Sequence, residues 1–130
     1  SNATHLILPG VGSFEKGMNG LTSGGLVEIL NDQVIAKKKP ILGICLGMQL
    51  LYDFSEEDNG YKGLGIIKGT VKRLSDSDIF KVPNVGWREI SIKSPSGLYK
   101  DITSKLICYF VHSYACKTED EKISNYAFRI

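Results

Sequence analysis

The chain has 130 residues, of which 42% are hydrophobic and 23% are charged, and its formal net charge is +2. This composition is typical of a globular domain and is too weakly basic to indicate nucleic acid or an anionic membrane as a partner. No apolar run reaches the ~20 residues of a membrane-spanning helix and no secretory signal opens the chain, so we expect a cytoplasmic protein. The three cysteines show no C-x-x-C spacing, which argues against a disulfide framework or a metal site.

The first half of the chain predicts two strands, the first of them buried. Residues 5–8 form an apolar run that ends at Pro9-Gly10-Val11-Gly12, which predicts a strand followed by a glycine-rich turn. Residues 41–44 form a second apolar run that ends at Cys45. Each run is followed by a helical pattern, and strand, helix, strand and helix in this order predict a parallel sheet with crossover helices.

Apolar residues at helical spacing mark the two helices. The first helix, of about three turns, is predicted from residues four positions apart, which are Leu26, Leu30 and Val34. The second begins after Cys45, and its apolar face is predicted to carry Gly47, Leu50, Leu51 and Phe54.

The second half of the chain is richer in β-branched residues. Short strands are predicted at residues 66–74, 89–93 and 106–111, and the unbroken apolar character of 106–111 predicts a strand covered on both faces. The single tryptophan, Trp87, lies in a proline- and glycine-marked loop before residue 89. From the residues alone, Trp87 either closes one side of the core or anchors a partner on the surface.

Cys45 lies between two glycines, Gly43 and Gly47, at the predicted change from strand to helix. This is the spacing of a nucleophile elbow, in which glycines remove the Cβ atoms that would collide where the chain doubles back. The helix that follows presents backbone N–H groups that favour a thiolate. The alternative is a small buried cysteine, but the two glycines favour a nucleophile.

An attacking nucleophile needs donors for the oxyanion, and the sequence offers two backbone sources. These are the N–H of Leu46 and the turn Gly10-Val11-Gly12, and both are predicted at the carboxyl edge of the sheet, where ligands bind. Neither histidine is placed for a general base: His5 opens a strand, and a hydrogen-bonded, structural role is favoured for His112.

Five motifs occur in the order seen in one enzyme family. They are Pro9-Gly10-Val11-Gly12-Ser13-Phe14, Gly43-Ile44-Cys45-Leu46-Gly47-Met48-Gln49, Gly63-Leu64-Gly65, Val85-Gly86-Trp87 and Tyr109-Phe110-Val111-His112-Ser113-Tyr114. On these motifs the chain resembles the class I (triad) glutamine amidotransferases. In detail it is similar to the glutaminase subunits of imidazole glycerol phosphate synthase, an enzyme of histidine biosynthesis.

The resemblance implies an α/β fold of three layers around a mostly parallel, flavodoxin-like sheet. It also implies that residues 1–130 are a single amidotransferase domain truncated at both ends, without the family's first strand and helix. The family's catalytic histidine and glutamate lie on a later His-x-Glu segment that this sequence does not include. We therefore expect the chain alone to be inactive, and to be marginally stable or to associate through exposed apolar edges.

The resemblance also implies a reaction that needs neither a cofactor nor a metal. Cys45 would attack the side-chain amide of L-glutamine, release ammonia and leave a γ-glutamyl thioester that water hydrolyses. The oxyanion hole would consist of Gly10, Val11, Gly12 and Leu46. The residues that would bind glutamine are Gln49, Ser113 and Tyr114.

In the family the ammonia passes to a (β/α)₈-barrel synthase subunit. The segment Asn84-Val85-Gly86-Trp87-Arg88 resembles the one that contacts this barrel, although histidine-pathway members typically read Pro-His-x-Gly-Trp-Asn where this chain has Asn84 and Arg88. That departure leaves a second hypothesis, a paralogue that supplies ammonia to a partner amidating a surface sugar, such as a nucleotide sugar, lipopolysaccharide or flagellin glycan. A third is a non-catalytic binding or regulatory module.

Overall fold

The computed structural model describes residues 2–77, 81–92, 97–102 and 105–119, and the backbone of residues 126–128. The chain divides into two compact units. The first comprises Ser1–Arg73 and Tyr114–Glu119, and the second comprises Leu74–Ser113 and Asp120–Ile130. The prediction of one amidotransferase domain over the whole chain stays a prediction.

Nine strands and three α-helices are present among the described residues. The strands are β1 (Leu6–Gly10), β2 (Ile41–Cys45), β3 (Tyr52–Ser55), β4 (Tyr61–Lys62), β5 (Ile67–Arg73), β6 (Asn84–Ile92), β7 (Leu106–His112), β8 (Tyr114–Thr118) and β9 (Tyr126–Phe128). The α-helices are α1 (Phe14–Ser23), α2 (Leu26–Leu30) and α3 (Leu46–Leu50). A π-helical segment, Asn31–Ala36, continues α2, and single 3₁₀ turns lie at Glu57–Asn59 and Gly97–Tyr99. No helix in this part of the chain combines the length and apolar character that a bilayer crossing requires.

In the first unit, β1 and β2 pair in parallel, as predicted, from Leu6 opposite Ile41 to Gly10 opposite Cys45. The prediction that the first strand is buried is wrong, since exposure alternates along β1 and Ile7 is 66% exposed. Helix α3 packs on both strands, and α1 packs on α3. The core lies between these helices and the neighbouring strands β3 and β5. Its buried residues are Phe14, Met18, Leu21, Leu46, Leu50, Tyr52 and Val71.

The remaining strands of the first unit form a mixed sheet in the order β4-β3-β5-β8. Strands β3 and β5 are parallel, and β4 and β8 are antiparallel to their neighbours. The predicted strand at 66–74 is confirmed as β5. Phe54, predicted on the helix after Cys45, lies instead on β3, because that helix ends at Leu50 and the chain turns immediately into the sheet.

The second unit contains a three-stranded antiparallel sheet in the order β7-β6-β9. The predicted strands at 89–93 and 106–111 are present as β6 and β7, although β6 begins five residues earlier and residue 93 lies outside the described residues. The prediction that 106–111 is covered on both faces is wrong. Exposure alternates along β7, and Ile107, Tyr109 and Val111 are exposed, so only one face of this strand is covered.

The predicted α/β class is confirmed. Among the described strands, however, the pairing is mixed rather than mostly parallel: β1–β2 and β3–β5 are parallel, and the other four pairings are antiparallel. The connections explain part of this difference. Only five residues join β3 to β4, which is enough for a hairpin and too few for the crossover that a parallel neighbour requires.

Candidate active site

Cys45 ends β2 and forms the N-cap of α3, so the predicted strand, turn and helix around the thiol are present. Its backbone has φ 54° and ψ −120°, a conformation that residues with a side chain rarely adopt. Such strain costs about 1–3 kcal/mol and persists where the surrounding structure imposes it, often at functional sites. Cys45 is also exposed. The turn therefore presents a thiol to solvent from a strained backbone position.

The glycines on either side of Cys45 are required by close contacts of the backbone. A Cβ added to Gly47 would overlap the carbonyl oxygen of Leu8 on β1. A Cβ added to Gly43 would lie 2.8 Å from the backbone nitrogen of Met48. Because backbone atoms cannot move aside as a flexible side chain can, the first turn of α3 lies against β1 and β2 only while both positions are glycine.

The turn after β1 lies beside the thiol, at the same edge of the parallel pair. Gly10 is the register partner of Cys45, and a Cβ on Gly10 would lie 3.0 Å from the backbone nitrogen of Gly47. Gly12 has φ 99°, which favours glycine, and the side chain of Val11 is 89% exposed. Leu46 opens α3, so its N–H has no acceptor within the helix. The structure thus brings together the thiol and both predicted sources of backbone donors.

A glutamate that sequence reasoning missed supports this turn. The backbone N–H of Phe14, the first residue of α1, donates to Oε2 of Glu57 at 2.9 Å. Glu57 is held in turn by its own N–H, which donates to the hydroxyl of the fully buried Ser55 at 3.1 Å. A second bond joins the same two regions, since the Tyr61 hydroxyl donates to Oδ1 of Asn19 at 2.7 Å. Phe14 and Glu57 are 43 positions apart, so no local pattern indicates the contact.

Two of the three residues predicted to bind glutamine are in contact in the first unit. The Nε2 of Gln49, on α3, donates to the backbone carbonyl oxygen of Tyr114 at 3.3 Å. Ser113 belongs to the second unit, where its carbonyl oxygen accepts a hydrogen bond from the N–H of Leu74 at 2.8 Å. Gln49 thereby links the helix that follows the thiol to the start of β8.

The other two cysteines are in environments unlike that of Cys45. All three are free, but only Cys45 is exposed. Burial raises the pKa of the Cys116 thiol to about 12, and burial together with the neighbouring Cys116 raises the pKa of the Tyr52 hydroxyl to about 12. Cys108 is partly buried on β7. A thiol is a nucleophile only as the thiolate, and burial disfavours that form at Cys116.

The segment Asn84–Arg88 was predicted as a loop and is the first half of β6. Trp87 is 68% exposed and makes an edge-to-face contact with Tyr109 on β7, with ring centroids 5.5 Å apart. Of the two interpretations that the sequence left open, the structure therefore favours the exposed one. Asn84 is different, since it is only 1% exposed and contributes almost no surface itself.

The histidines are placed as the sequence indicated. His5 is exposed, and its Nδ1 lies 3.0 Å from the hydroxyl of Thr4. The Nε2 of His112 lies 2.9 Å from Nδ2 of Asn84, across the β6–β7 pair. Among the His, Cys, Asp and Glu residues that the structure describes, no group of three is placed to bind a metal ion.

The fold and the elbow define an α/β protein built around an exposed, strained thiol. Residues 2–129 match the family "Glutamine amidotransferase class-I", and the chain belongs to that family. It is 45% identical to imidazole glycerol phosphate synthase subunit HisH 1 of Campylobacter jejuni strain 81-176, over 94% of this chain and 61% of the relative.

Two further relatives carry similar names. The chain is 46% identical to subunit HisH 2 of the same synthase from Methanococcus maripaludis, over 94% of this chain and 60% of the relative. It is 41% identical to subunit HisH from Pelagibacter ubique, over 91% of this chain and 58% of the relative. The chain thus spans about three fifths of the length of the curated relatives it matches.

Proposed function

We propose that the full-length protein is a cytoplasmic glutaminase subunit of imidazole glycerol phosphate synthase, which hydrolyses L-glutamine to supply ammonia for histidine biosynthesis. The names of the relatives support the choice of synthase. The observation that carries the chemistry is the backbone of Cys45, whose φ of 54° is imposed between two glycines that admit no side chain. Such strain, at the end of a strand and beside a glycine-rich turn, is characteristic of a nucleophile elbow.

The thiolate of Cys45 attacks the carbonyl carbon of the glutamine side-chain amide. The oxygen becomes negatively charged and accepts hydrogen bonds from the Gly10-Val11-Gly12 turn and from the N–H of Leu46. When the carbonyl reforms, the C–N bond breaks, the nitrogen takes up a proton, and ammonia leaves. Water then attacks the γ-glutamyl thioester, which releases glutamate and restores the thiol.

Glutamine binding is assigned to Gln49, Ser113 and Tyr114. Gln49 follows Cys45 by one turn of α3, and its amide already uses one donor on the carbonyl of Tyr114. The proton of the thiol needs a separate base. In line with the resemblance, we assign that base to a histidine of a His-x-Glu segment, because the Nε2 of His112 is already engaged by Asn84.

The partner that receives ammonia is assigned to the (β/α)₈-barrel synthase subunit, and its contact to the segment Asn84–Arg88. The exposure of Trp87 supports this assignment, because a large exposed aromatic side chain is the usual anchor of an interface. The exposed side chains of Val85 and Tyr109 extend the apolar surface around it.

The reaction is tested with Cys45→Ala in the full-length protein. Removal of the nucleophile is expected to lower glutamine hydrolysis by about 10⁴-fold or more. The mixture with the barrel subunit should still use added ammonia, because the barrel does not need the thiol. Cys108→Ser is the matched control, since it also removes a sulfur, and it should keep glutamine hydrolysis. Wild-type hydrolysis by Cys45→Ala would overturn the assignment.

The partner is tested by adding the barrel subunit of imidazole glycerol phosphate synthase to the full-length protein. Glutamine hydrolysis should rise when the two are mixed, and Trp87→Ala should reduce that stimulation. Stimulation by a surface-sugar amidating partner, with none by the histidine-pathway subunit, would replace the histidine pathway by the alternative hypothesis.

A further inference from the structure

Three side chains of the second unit form one continuous chain of hydrogen bonds. The Nε of Arg88 donates to Oδ1 of Asn84 at 3.2 Å, and Nδ2 of Asn84 lies 2.9 Å from Nε2 of His112. Asn84 and His112 face each other across β6 and β7. Because Asn84 is 1% exposed, water does not readily replace either bond.

Chemistry fixes the direction of every bond in this chain. A guanidinium only donates, so the Asn84 atom that faces Arg88 must be the carbonyl oxygen. The amide nitrogen of Asn84 then faces His112, and it too can only donate. The Nε2 of His112 must therefore be an unprotonated acceptor, and the neutral ring carries its proton on Nδ1.

The same guanidinium also holds the backbone around Trp87. Nη1 of Arg88 donates to the carbonyl oxygen of Trp87 at 3.1 Å, and Nη2 donates to that of Val85 at 3.2 Å. These two carbonyls lie on either side of Gly86, which has φ 132°. Arg88 thus bridges an irregular point of the strand, and Asn84 holds Arg88 in the orientation that makes the bridge.

We propose that Asn84 is a positioning residue that couples Arg88 to His112. It sets the backbone from which Trp87 projects, and it keeps His112 as the Nδ1–H tautomer, with Nε2 unavailable to accept a proton from substrate or thiol. Asn84 and Arg88 consequently act as one unit in partner recognition. The partner part of this inference rests on the proposed function, whereas the tautomer does not.

The tautomer is tested by nitrogen NMR of the full-length protein labelled with ¹⁵N-histidine, without glutamine or partner. We expect His112 of the wild type to show a protonated Nδ1 and an unprotonated Nε2. In Asn84→Asp the carboxylate still accepts from Arg88 but cannot donate, so Nε2 of His112 should become protonated. Lys105→Gln, which removes an exposed ion pair between Glu89 on β6 and the residue that precedes β7, is the control and should keep the wild-type tautomer.

Two results would overturn the proposal. One is a wild-type His112 with its proton on Nε2, and this measurement needs no variant to fold. The other is an Asn84→Asp protein that is folded and has an unchanged His112 spectrum.

The coupling is tested by titrating the full-length protein with the barrel subunit. Asn84→Leu, which offers Arg88 no acceptor, and Arg88→Lys should each weaken binding by about tenfold, because Arg88 then no longer holds the backbone around Trp87. The double variant should bind about as tightly as the single variant with the lower affinity. If the two substitutions acted independently, their effects on the dissociation constant would multiply, and that result would contradict the coupling. If the wild type binds no barrel subunit, the proposed function fails, while the tautomer of His112 still decides the role of Asn84.

Discussion

Cys45 and Trp87 are both exposed, yet the backbone that carries each is shaped in a different way. At Cys45 the shape comes from backbone atoms in direct contact, with glycine at Gly43 and Gly47 where a Cβ would collide. At Trp87 it comes from side-chain hydrogen bonds, made by Asn84 and Arg88. The backbone at Cys45 therefore depends on the absence of side chains at two glycines, whereas the backbone at Trp87 depends on the presence of two polar side chains.

Because of this difference, we expect the two regions to tolerate different kinds of substitution. The elbow is sensitive to added atoms, because backbone in contact with backbone has no freedom to retreat. The Asn84–Arg88 segment is sensitive to lost polar atoms, because each loss leaves a buried donor or acceptor unsatisfied. Unfolding measurements on single variants of the full-length protein test this contrast.

The largest effect is expected for Gly47→Ala. Its Cβ would overlap the carbonyl oxygen of Leu8, and the free energy of unfolding should fall by about 3 kcal/mol or more. Gly20→Ala is the matched control, because Gly20 lies on α1 with nothing within 4 Å of an added Cβ. That control should raise the free energy by about 0.5–1 kcal/mol, as expected for alanine in an exposed helix. If urea unfolding shows equal stability for both variants, the steric account of the elbow is wrong.

A smaller effect is expected for Asn84→Leu. Leucine has a similar size but offers Arg88 no acceptor and His112 no donor, so unfolding should become easier by about 2 kcal/mol. The control Lys105→Gln removes an ion pair with Glu89 in which both side chains are exposed, and it should change stability by less than about 0.5 kcal/mol. Equal urea midpoints for the two variants would show that side-chain hydrogen bonds do not shape this segment.

Cys45→Gly should increase stability. Glycine adopts φ 54° without strain, and the gain exceeds its greater loss of chain entropy, which leaves about 1 kcal/mol of net stabilisation. Cys45→Ala keeps the Cβ and the strain, so it should lie close to the wild type. Thermal melts of the two variants give the comparison directly, and a Cys45→Gly protein no more stable than Cys45→Ala would mean that the turn stores no strain.

The smallest effect is expected for Glu57→Gln. This variant tests whether a side chain also stabilises the region around Cys45, which is otherwise shaped by backbone contacts. The amide can still accept from Phe14, but the favourable charge at the start of α1 is lost, at a cost of about 0.5 kcal/mol. Glu56→Gln, which removes an exposed partner of Lys72, is the control. If salt-dependent unfolding does not distinguish the two variants, Glu57 does not support the turn.

The elbow could be predicted from the sequence because the residues that mark it lie within a few positions of one another. Gly43, Cys45 and Gly47 occur in one short motif, and the turn at Gly10 and Gly12 follows an obvious strand. The contact of Gly47 with Leu8 on β1 is distant in sequence, but the glycine that it requires lies inside the same short motif and is therefore visible there. The α/β class could be predicted because each of the two apolar runs in the first half of the chain is followed by a helical pattern.

The sequence-based predictions are wrong or incomplete where contacts between distant residues outweigh the local sequence pattern. Helix α1 was not predicted, because its buried face consists of only Phe14, Met18 and Leu21 among polar residues and glycines. Phe54 fits a helical stripe, but pairing with β4 and β5 places it on a strand. The Asn84–His112 bond joins residues 28 positions apart, and no spacing rule indicates it.

The contact between Gly47 and Leu8 has a consequence in the genetics of the protein. Every amino acid that a single-base change can introduce at a glycine codon carries a Cβ, so no one-step replacement at Gly47 avoids the collision with the Leu8 carbonyl. Every one-step amino-acid replacement at Gly47 therefore meets the same backbone collision. At Asn84 and Arg88, in contrast, the interactions are made by side chains, so a one-step change can replace one polar group by another without a backbone collision.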